Sequence, residues 1–135
     1  MKAFPRGCDV TSHAKECVLF GLAIDFVFEA VHDMSRPVEV LAQIRVACVP
    51  QSTLIVMDEN VAEAFGEIGN PVERFMYGAS IMHCLPVGMA EQPSVGTGTV
   101  MRPSTLQQYA AAAGFGRFEI LPIEHDFFRF YRLGN

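Results

Sequence analysis

The stretch IDFVFEAVHDM, residues 24–34, decides the fold of this chain. We interpret its first part, Ile24–Phe28, as a continuously apolar run, which predicts a strand buried on both faces of a sheet. Glu29, His32 and Asp33 follow without a spacer, and a helical pattern begins a few residues later. A buried strand that ends in acidic and imidazole groups before a helix is typical of ligand sites in α/β sheets.

The same pattern then repeats along the chain. Ser35 is an expected N-cap, and Pro37 falls in the first turn of a helix, where its missing N–H costs nothing. A second apolar strand, Thr53–Met57, follows and ends in Asp58 and Glu59. Strand, helix and strand in this order predict a βαβ unit with a parallel sheet.

Residues 61–100 form an insert that is too long for an ordinary connection, and we interpret it as a helical lid. Asn70–Glu73 is similar to a capping box that opens a helix. One face of that helix is expected to be apolar and aromatic: Val72, Phe75, Met76, Ala79 and His83. The segment Leu85–Thr99 contains several prolines and glycines and predicts a loop. Its Gly96–Thr99 run lacks the preceding strand and the lysine of a phosphate-binding loop.

The last third of the chain predicts a helix and a hairpin. Ser104–Gln107 is similar to a capping box, and Gly114 has the position of a residue that closes a helix. Phe118–Ile123 and Phe127–Leu133 are β-prone runs around a polar turn, which predicts an antiparallel hairpin. The predicted fold class is α/β, with about four strands and flanking helices over residues 22–135.

Composition limits the class of partner. The net charge of −5 comes without a basic stripe, so we expect no nucleic-acid partner. No apolar run is long enough for a membrane span, and the start of the chain does not resemble a signal peptide. The four cysteines have no metal-binding spacing and suit reduced thiols in a cytoplasmic protein. Residues 1–21 predict only an irregular segment.

Several stretches together carry a family resemblance: FEAVHDM (28–34), TLIVMDE (53–59), VERFMYG (72–78), GTGTVMRPSTL (96–106), AAAGF (111–115) and LPIEHDFFRFYRL (121–133). They resemble the C-terminal half of class I S-adenosylmethionine-dependent methyltransferases, above all bacterial ones that carry an N-terminal winged-helix segment. The resemblance implies a partial Rossmann-like sheet in the order 4-5-7-6, by the numbering of that superfamily. It also implies S-adenosylmethionine as the cofactor and a small molecule as the methyl acceptor.

The superfamily's Gly-rich donor loop and its ribose-binding acidic residue have no counterpart in this sequence. We therefore expect about half of a catalytic domain, incomplete for methyl transfer as this chain alone. The strand at Ile24–Phe28 would lie mid-sheet in the whole domain, so its edge is expected to be bare here and to invite a homodimer, a larger assembly or poor solubility.

The resemblance also assigns roles to residues. It places Phe28, Glu29 and Ala30 against the methionine half of the donor, and His32 and Asp33 beside the acceptor. His32 could be a general base that Asp33 orients, or Asp33 could simply cap the helix while His32 packs beside it. The candidates for the rest of the substrate pocket are Asp58, Glu59, Tyr77, His83 and His125.

Two other classes of function remain open. One is a non-catalytic, truncated methyltransferase-like chain that serves as a binding or interaction module, which the missing donor loop favours. The other is a metal-dependent hydrolase built from the histidines and acidic residues named above. Because none of them has a recognised ligand spacing, we expect no metal at the site.

Overall fold

The computed structural model describes residues 24–48, 51–66 and 71–135, so the predictions for residues 1–21 and Asn70 lie outside it. The strands and helices are β1 (Ile24–Phe28), α1 (Pro37–Ala47), β2 (Thr53–Glu59), α2 (Pro71–Ala79), α3 (Leu85–Gly88), α4 (Pro103–Ala112), β3 (Arg117–Ile120) and β4 (Phe128–Gly134). A 3₁₀ turn at Val31–Asp33 follows β1, and a π-helical turn at Ser80–Cys84 joins α2 to α3.

The four strands form one mixed sheet in the order β1-β2-β4-β3. β1 and β2 are parallel, with Ile24 opposite Thr53, whereas β4 is antiparallel to both β2 and β3. The predicted α/β class, the strand order and the C-terminal hairpin are therefore confirmed. Because β1 and β2 are parallel neighbours, their carboxyl ends meet at one edge of the sheet.

The core lies on one face of this sheet, beneath α1 and α4. Leu54 and Val56 alternate along β2 and are fully buried there, as are Tyr131 and Leu133 of the adjacent β4. Since side chains two apart on a strand share a face, Asp58 continues the row of Leu54 and Val56 into the core. An acidic group thus stands at the end of an apolar row, with its side chain fully buried.

The prediction that β1 is buried on both faces is wrong. Phe26 is 61 % exposed and Ile24 and Phe28 are also exposed, whereas Val27 packs against the core. Asp25 lies on the covered side, where its carboxylate accepts a hydrogen bond from Cys48 Sγ at 3.0 Å. Among the described residues only β2 pairs with β1, and the side chains of β1 on the face that carries Phe26 are exposed.

Both long helices on the core side begin at a proline rather than at a serine cap. α1 starts at Pro37 after Arg36, and α4 starts at Pro103 after Arg102, with no side-chain cap in either case. Ser35 was expected to cap α1, but its hydroxyl donates to the carbonyl of Gly88 at 2.8 Å. The predicted closing role of Gly114 agrees with its φ of +92° after α4.

The inward face of the lid insert overlaps the predicted one at Met76 but does not include Phe75 or His83. Phe75 is 66 % exposed and His83 is exposed, while Glu73, Met76 and Ser80 are buried. The reason is an ion pair, because Glu73 Oε1 lies 3.0 Å from Nη2 of Arg102, which precedes α4. The segment predicted as a loop begins with the short helix α3 and becomes irregular only after Gly88. In the described ranges no helix is both long and apolar enough to cross a membrane.

Candidate functional site

The candidate site lies where the carboxyl ends of β1 and β2 meet. After β1 the chain turns through the 3₁₀ turn, which carries His32 and Asp33, and β2 ends with Asp58 and Glu59. All four side chains were predicted as site residues, and the structure brings them together. The parallel pairing of the strands is what places the four groups side by side.

His32 is the centre of the cluster, with only 3 % of its side chain exposed. Its Nδ1 lies 2.8 Å from Asp58 Oδ1, with which it forms a hydrogen bond, and 3.2 Å from Glu59 Oε2. The other ring nitrogen, Nε2, lies 3.3 Å from Asp33 Oδ1. The carboxylate hydrogen-bonded to the imidazole is therefore that of Asp58, whereas one of the two interpretations of the sequence gave this role to Asp33.

The carboxyl groups change the protonation of the imidazole. Burial by itself lowers the pKa of His32, but the hydrogen bond and negative charge of Asp58, with the charges of Glu59 and Asp33, outweigh it and raise the pKa to about 10. Burial and the contact with Asp58 raise the pKa of Glu59 to about 9, against the opposing charge of His32. At neutral pH His32 is accordingly an imidazolium and Glu59 a neutral acid.

The same atoms could hold a metal ion only in competition with this proton. His32 Nδ1 and oxygens of Asp58 and Glu59 lie within 4.8 Å of one another, and Asp58 Oδ2 and Glu59 Oε2 are buried without a hydrogen-bond partner. A metal ligand nitrogen must be unprotonated, whereas here Nδ1 carries the proton that it donates to Asp58. The absence of a metal at the site stays a prediction.

The three residues predicted to contact the donor follow directly at the end of β1. Phe28 is half-exposed, Glu29 is exposed, and Ala30 is partly buried. Glu29 has a φ of +48°, which is unusual for a residue with a side chain, and its N–H donates to Met57 O at 2.9 Å. Backbone strain of this kind is concentrated at functional sites.

The remaining predicted pocket residues make contacts elsewhere. The Tyr77 hydroxyl accepts a hydrogen bond from Arg102 Nη2 at 2.9 Å, and His83 is exposed on the π-helical turn. His125 Nδ1 accepts hydrogen bonds from the main-chain N–H groups of Phe127 and Phe128, both at 3.1 Å. The imidazole of His125 thus orders the hairpin turn, and no contact joins Tyr77 or His125 to His32.

Two residues near the cluster were not predicted. Gly98 N donates to the carbonyl of His32 at 3.1 Å, and Ser80 Oγ accepts from Thr99 N at 3.2 Å. In the sequence the Gly-Thr-Gly-Thr run was considered as a phosphate loop and as part of a stretch that carries the family resemblance, but it was given no place in the site. The two glycines could have indicated a segment with an unusual backbone, because glycine adopts positive φ angles readily. Both Gly96 and Gly98 do have positive φ angles in the structure.

No protein-family model and no curated protein matches the chain. Among solved structures, human N-acetylserotonin methyltransferase in complex with S-adenosylmethionine is similar to it, with a TM-score of 0.59 and 14 % identity over 90 % of this chain. The CMeT domain of the citrinin polyketide synthase has a TM-score of 0.58 and 12 % identity over 87 % of the chain. Mitomycin 7-O-methyltransferase has a TM-score of 0.54 and 17 % identity over 84 %.

Each of these proteins is much longer than the matched region. The chain spans 32 %, 28 % and 30 % of their respective lengths. At this level of identity the likeness concerns the fold, and it agrees with the strand order and the hairpin described above. The chain has the fold of the C-terminal part of a class I S-adenosylmethionine-dependent methyltransferase.

Proposed function

We propose that this chain forms the acceptor-side wall of a methyltransferase site that serves a small-molecule acceptor, with S-adenosylmethionine as the donor. The single observation that carries the proposal is the buried pair of His32 and Asp58, which joins the carboxyl ends of two parallel strands. Open α/β sheets bind their ligands at this edge. The fold shared with a structure solved in complex with S-adenosylmethionine supports the choice of donor.

The residues after β1 suit the donor. Phe28 offers a half-exposed aromatic ring, and Glu29 offers an exposed carboxylate beside it, which would attract the positive charge of a sulfonium. When bound, the donor supplies a methyl group activated by that positive charge. Phe28, Glu29 and Ala30 would then bind and orient it, which is the larger part of catalysis in an in-line displacement.

The role of His32 is to take the proton of an acceptor that carries one. Asp58 fixes the ring through Nδ1, which leaves Nε2, on the side of the half-buried Asp33, to face an acceptor. Only the neutral imidazole can accept a proton, and the high pKa of His32 makes this form scarce at neutral pH. The proposed reaction is therefore faster in alkaline solution.

The same protonation favours a second candidate function, which is ligand binding without methyl transfer. An imidazolium donates hydrogen bonds from both nitrogens and would hold an acceptor carbonyl or an anion rather than activate a hydroxyl group. A non-catalytic binding module with this fold would keep the affinity for the donor but would lack turnover. Binding and turnover must therefore be measured separately.

Titration calorimetry of the full chain with S-adenosylmethionine tests the proposal. We expect a Kd in the micromolar range, weakened about tenfold by Phe28→Ala, which corresponds to about 1.4 kcal/mol. Phe127→Ala is the matched control, because Phe28 and Phe127 are 50 % and 48 % exposed, and it should leave the affinity unchanged. No heat of binding up to about 1 mM donor contradicts the proposal for this chain.

A further inference from the structure

The segment Ser94–Thr99, named the strap below, lies across the turn that carries His32. Gly98 N donates to His32 O at 3.1 Å, and Val95 N donates to Ser35 O at 3.0 Å. The strap thus contacts the main chain at both ends of the segment from His32 to Ser35. Ser35 and Ser94 also donate their hydroxyls to the same carbonyl, that of Gly88, at 2.8 and 2.7 Å.

Gly98 occupies the tightest place in the strap. Its φ is +70°, and a Cβ added to it would overlap the hydroxyl oxygen of Ser80. That oxygen accepts a hydrogen bond from Thr99 N at 3.2 Å, so it cannot simply turn away. Ser80 and Thr99 are both buried, which leaves little room for adjustment.

The π-helical turn of the lid places the side chain of Ser80 against the strap. The turn begins at Ser80, whose carbonyl accepts from Leu85 N five residues later. Such widened turns occur as single insertions in α-helices and are often found at functional sites. Here the widened turn lies against the strap, so that lid, strap and His32 turn form one contiguous structure.

We propose that Gly98, seated against Ser80, is a positioning residue that fixes the main chain of His32 and thereby the contact of its imidazole with Asp58. This inference rests on the proposed function in that it gives the lid a role in preparing His32. Gly98 acts on His32 directly, because its N–H donates a hydrogen bond to the carbonyl of His32, the residue that carries the imidazole. The groups that face the ring are Asp58, Glu59 and Asp33, with Cys84 of the π-helical turn close by.

The test is the variant Gly98→Ala in the full chain, with the ring resonances of His32 followed by NMR as the pH is raised. Displacement of the His32 turn loosens the contact with Asp58, so the titration midpoint should fall by about one pH unit or more. Circular dichroism checks that the fold is retained. An unchanged midpoint in a folded Gly98→Ala chain overturns the proposal.

Gly96→Ala is the matched control. Gly96 also has a positive φ, of +60°, but a Cβ there would meet only Leu85 and Met89 at an ordinary 3.6 Å. This variant carries the same kind of backbone strain without the overlap with Ser80, and the His32 midpoint should stay within about 0.3 pH units of the wild-type value. An equal shift of the His32 midpoint in both variants would mean that backbone strain in the strap, and not the contact of Gly98 with Ser80, is responsible. That result would contradict the proposal.

Two further variants keep the test decisive if Gly98→Ala does not fold. Ser80→Ala removes the acceptor of Thr99 N and should shift the His32 midpoint in the same direction by a smaller amount. In Gly98→Ala/Ser80→Ala the overlap is gone, so the His32 titration midpoint should return toward that of Ser80→Ala alone. A midpoint that stays at the value of Gly98→Ala would contradict the proposed role of the contact between Gly98 and Ser80. Because the titration requires neither donor nor acceptor, its outcome is independent of whether the chain binds S-adenosylmethionine.

Discussion

His32 Nδ1 lies 2.8 Å from Asp58 Oδ1, although the two residues are 26 positions apart in the sequence. The contact joins the turn after β1 to the end of β2 inside a region from which water is excluded. In such surroundings a charged hydrogen bond is strong, and the loss of one partner is costly for the other. The protonation of His32 therefore depends mainly on a residue of the neighbouring strand.

Asp58→Asn should lower the pKa of His32 sharply. The substitution removes the hydrogen-bonded negative charge but leaves the burial, which by itself lowers the pKa of an imidazole. We expect the His32 titration midpoint, followed by NMR, to fall by about two pH units or more.

Asp33→Asn is the control for this experiment. Asp33 also lies close to the ring, at 3.3 Å from Nε2, but its charge is the weakest of the influences that raise the pKa. A smaller shift than in Asp58→Asn is expected. If the two variants gave equal shifts, Asp58 would not be the controlling partner.

The stability of the fold should decrease as the pH rises from about 5 to about 10. The pKa of His32 is raised from 6.5 to about 10, so its stabilising contribution is complete below pH 6.5 and is lost as the pH rises through 10. The pKa of Glu59 is raised from 4.5 to about 9, so the folded state keeps a proton that the unfolded chain releases above pH 4.5. Both effects have the same sign, so the free energy of unfolding should decrease as the pH rises. Urea unfolding at a series of pH values measures it.

Glu59→Gln should remove this dependence between about pH 5 and pH 6.5 and make it less steep up to pH 9, where His32 still titrates, because the amide keeps the size of the neutral acid and does not titrate. The stability of the variant at pH 8 is expected to match or exceed that of the wild type. Glu63→Gln is the control, since Glu63 is exposed beside Arg129 and should leave the profile unchanged. A wild-type stability that rises with pH would refute the protonation states assigned to the cluster.

Methyl transfer, if the proposed function is correct, should accelerate with pH in the same range. The fraction of neutral His32 increases about tenfold per pH unit below its pKa, and kcat/KM should follow it from pH 7 to about pH 9. His32→Asn should remove this dependence together with most of the rate. A rate that is flat with pH would exclude proton transfer to His32 as a limiting step.

The fold was largely predictable because its signals are local. Two strands with a helix between them, followed by a hairpin, define the sheet order that the structure has. The exposure of β1 was missed because its run was taken as wholly apolar, although Asp25 marks a period of two. The serine caps were wrong since Pro37 and Pro103 already start the helices, and Ser35 bonds to Gly88 of the lid, a contact between distant parts of the chain.

The residues that the structure brings together could be named from the sequence, but not their pairing. His32 and Asp58 follow from strands that end in polar groups, whereas the partner of His32 depends on the register between β1 and β2. Adjacent Asp33 was the obvious partner by distance along the chain. The strap was missed for the same reason, because its contact with His32 joins residues 66 positions apart and no local pattern reports it.

Arg102→Met should destabilise the chain strongly. Arg102 donates to the carboxylate of Glu73 at 3.0 Å, to the Tyr77 hydroxyl and to the carbonyl of Ala62, and the side chain of Glu73 is only 1 % exposed. Removal of the guanidinium breaks an ion pair with a buried carboxylate, which typically costs about 3–5 kcal/mol. Arg117→Met is the control, because its 2.8 Å pair with Glu119 is exposed and should contribute less than about 1 kcal/mol. Similar losses of unfolding free energy in the two variants would contradict the expectation that the buried ion pair contributes more to stability than the exposed one.

The outer edge of β1 should mediate self-association of the chain. In the part of the chain that the structure describes, β1 pairs only with β2, and Ile24, Phe26 and Phe28 are exposed on one of its faces. An unpaired apolar edge strand recruits another strand, and a charge on the edge opposes this. Sedimentation velocity should show mass that increases with concentration, and Phe26→Lys should shift the chain toward the monomer. Phe65→Lys is the control: Phe65 is 73 % exposed but lies in the loop after β2, so its substitution should not change the association. A wild-type chain that stays monomeric at every concentration would rule out this role for β1.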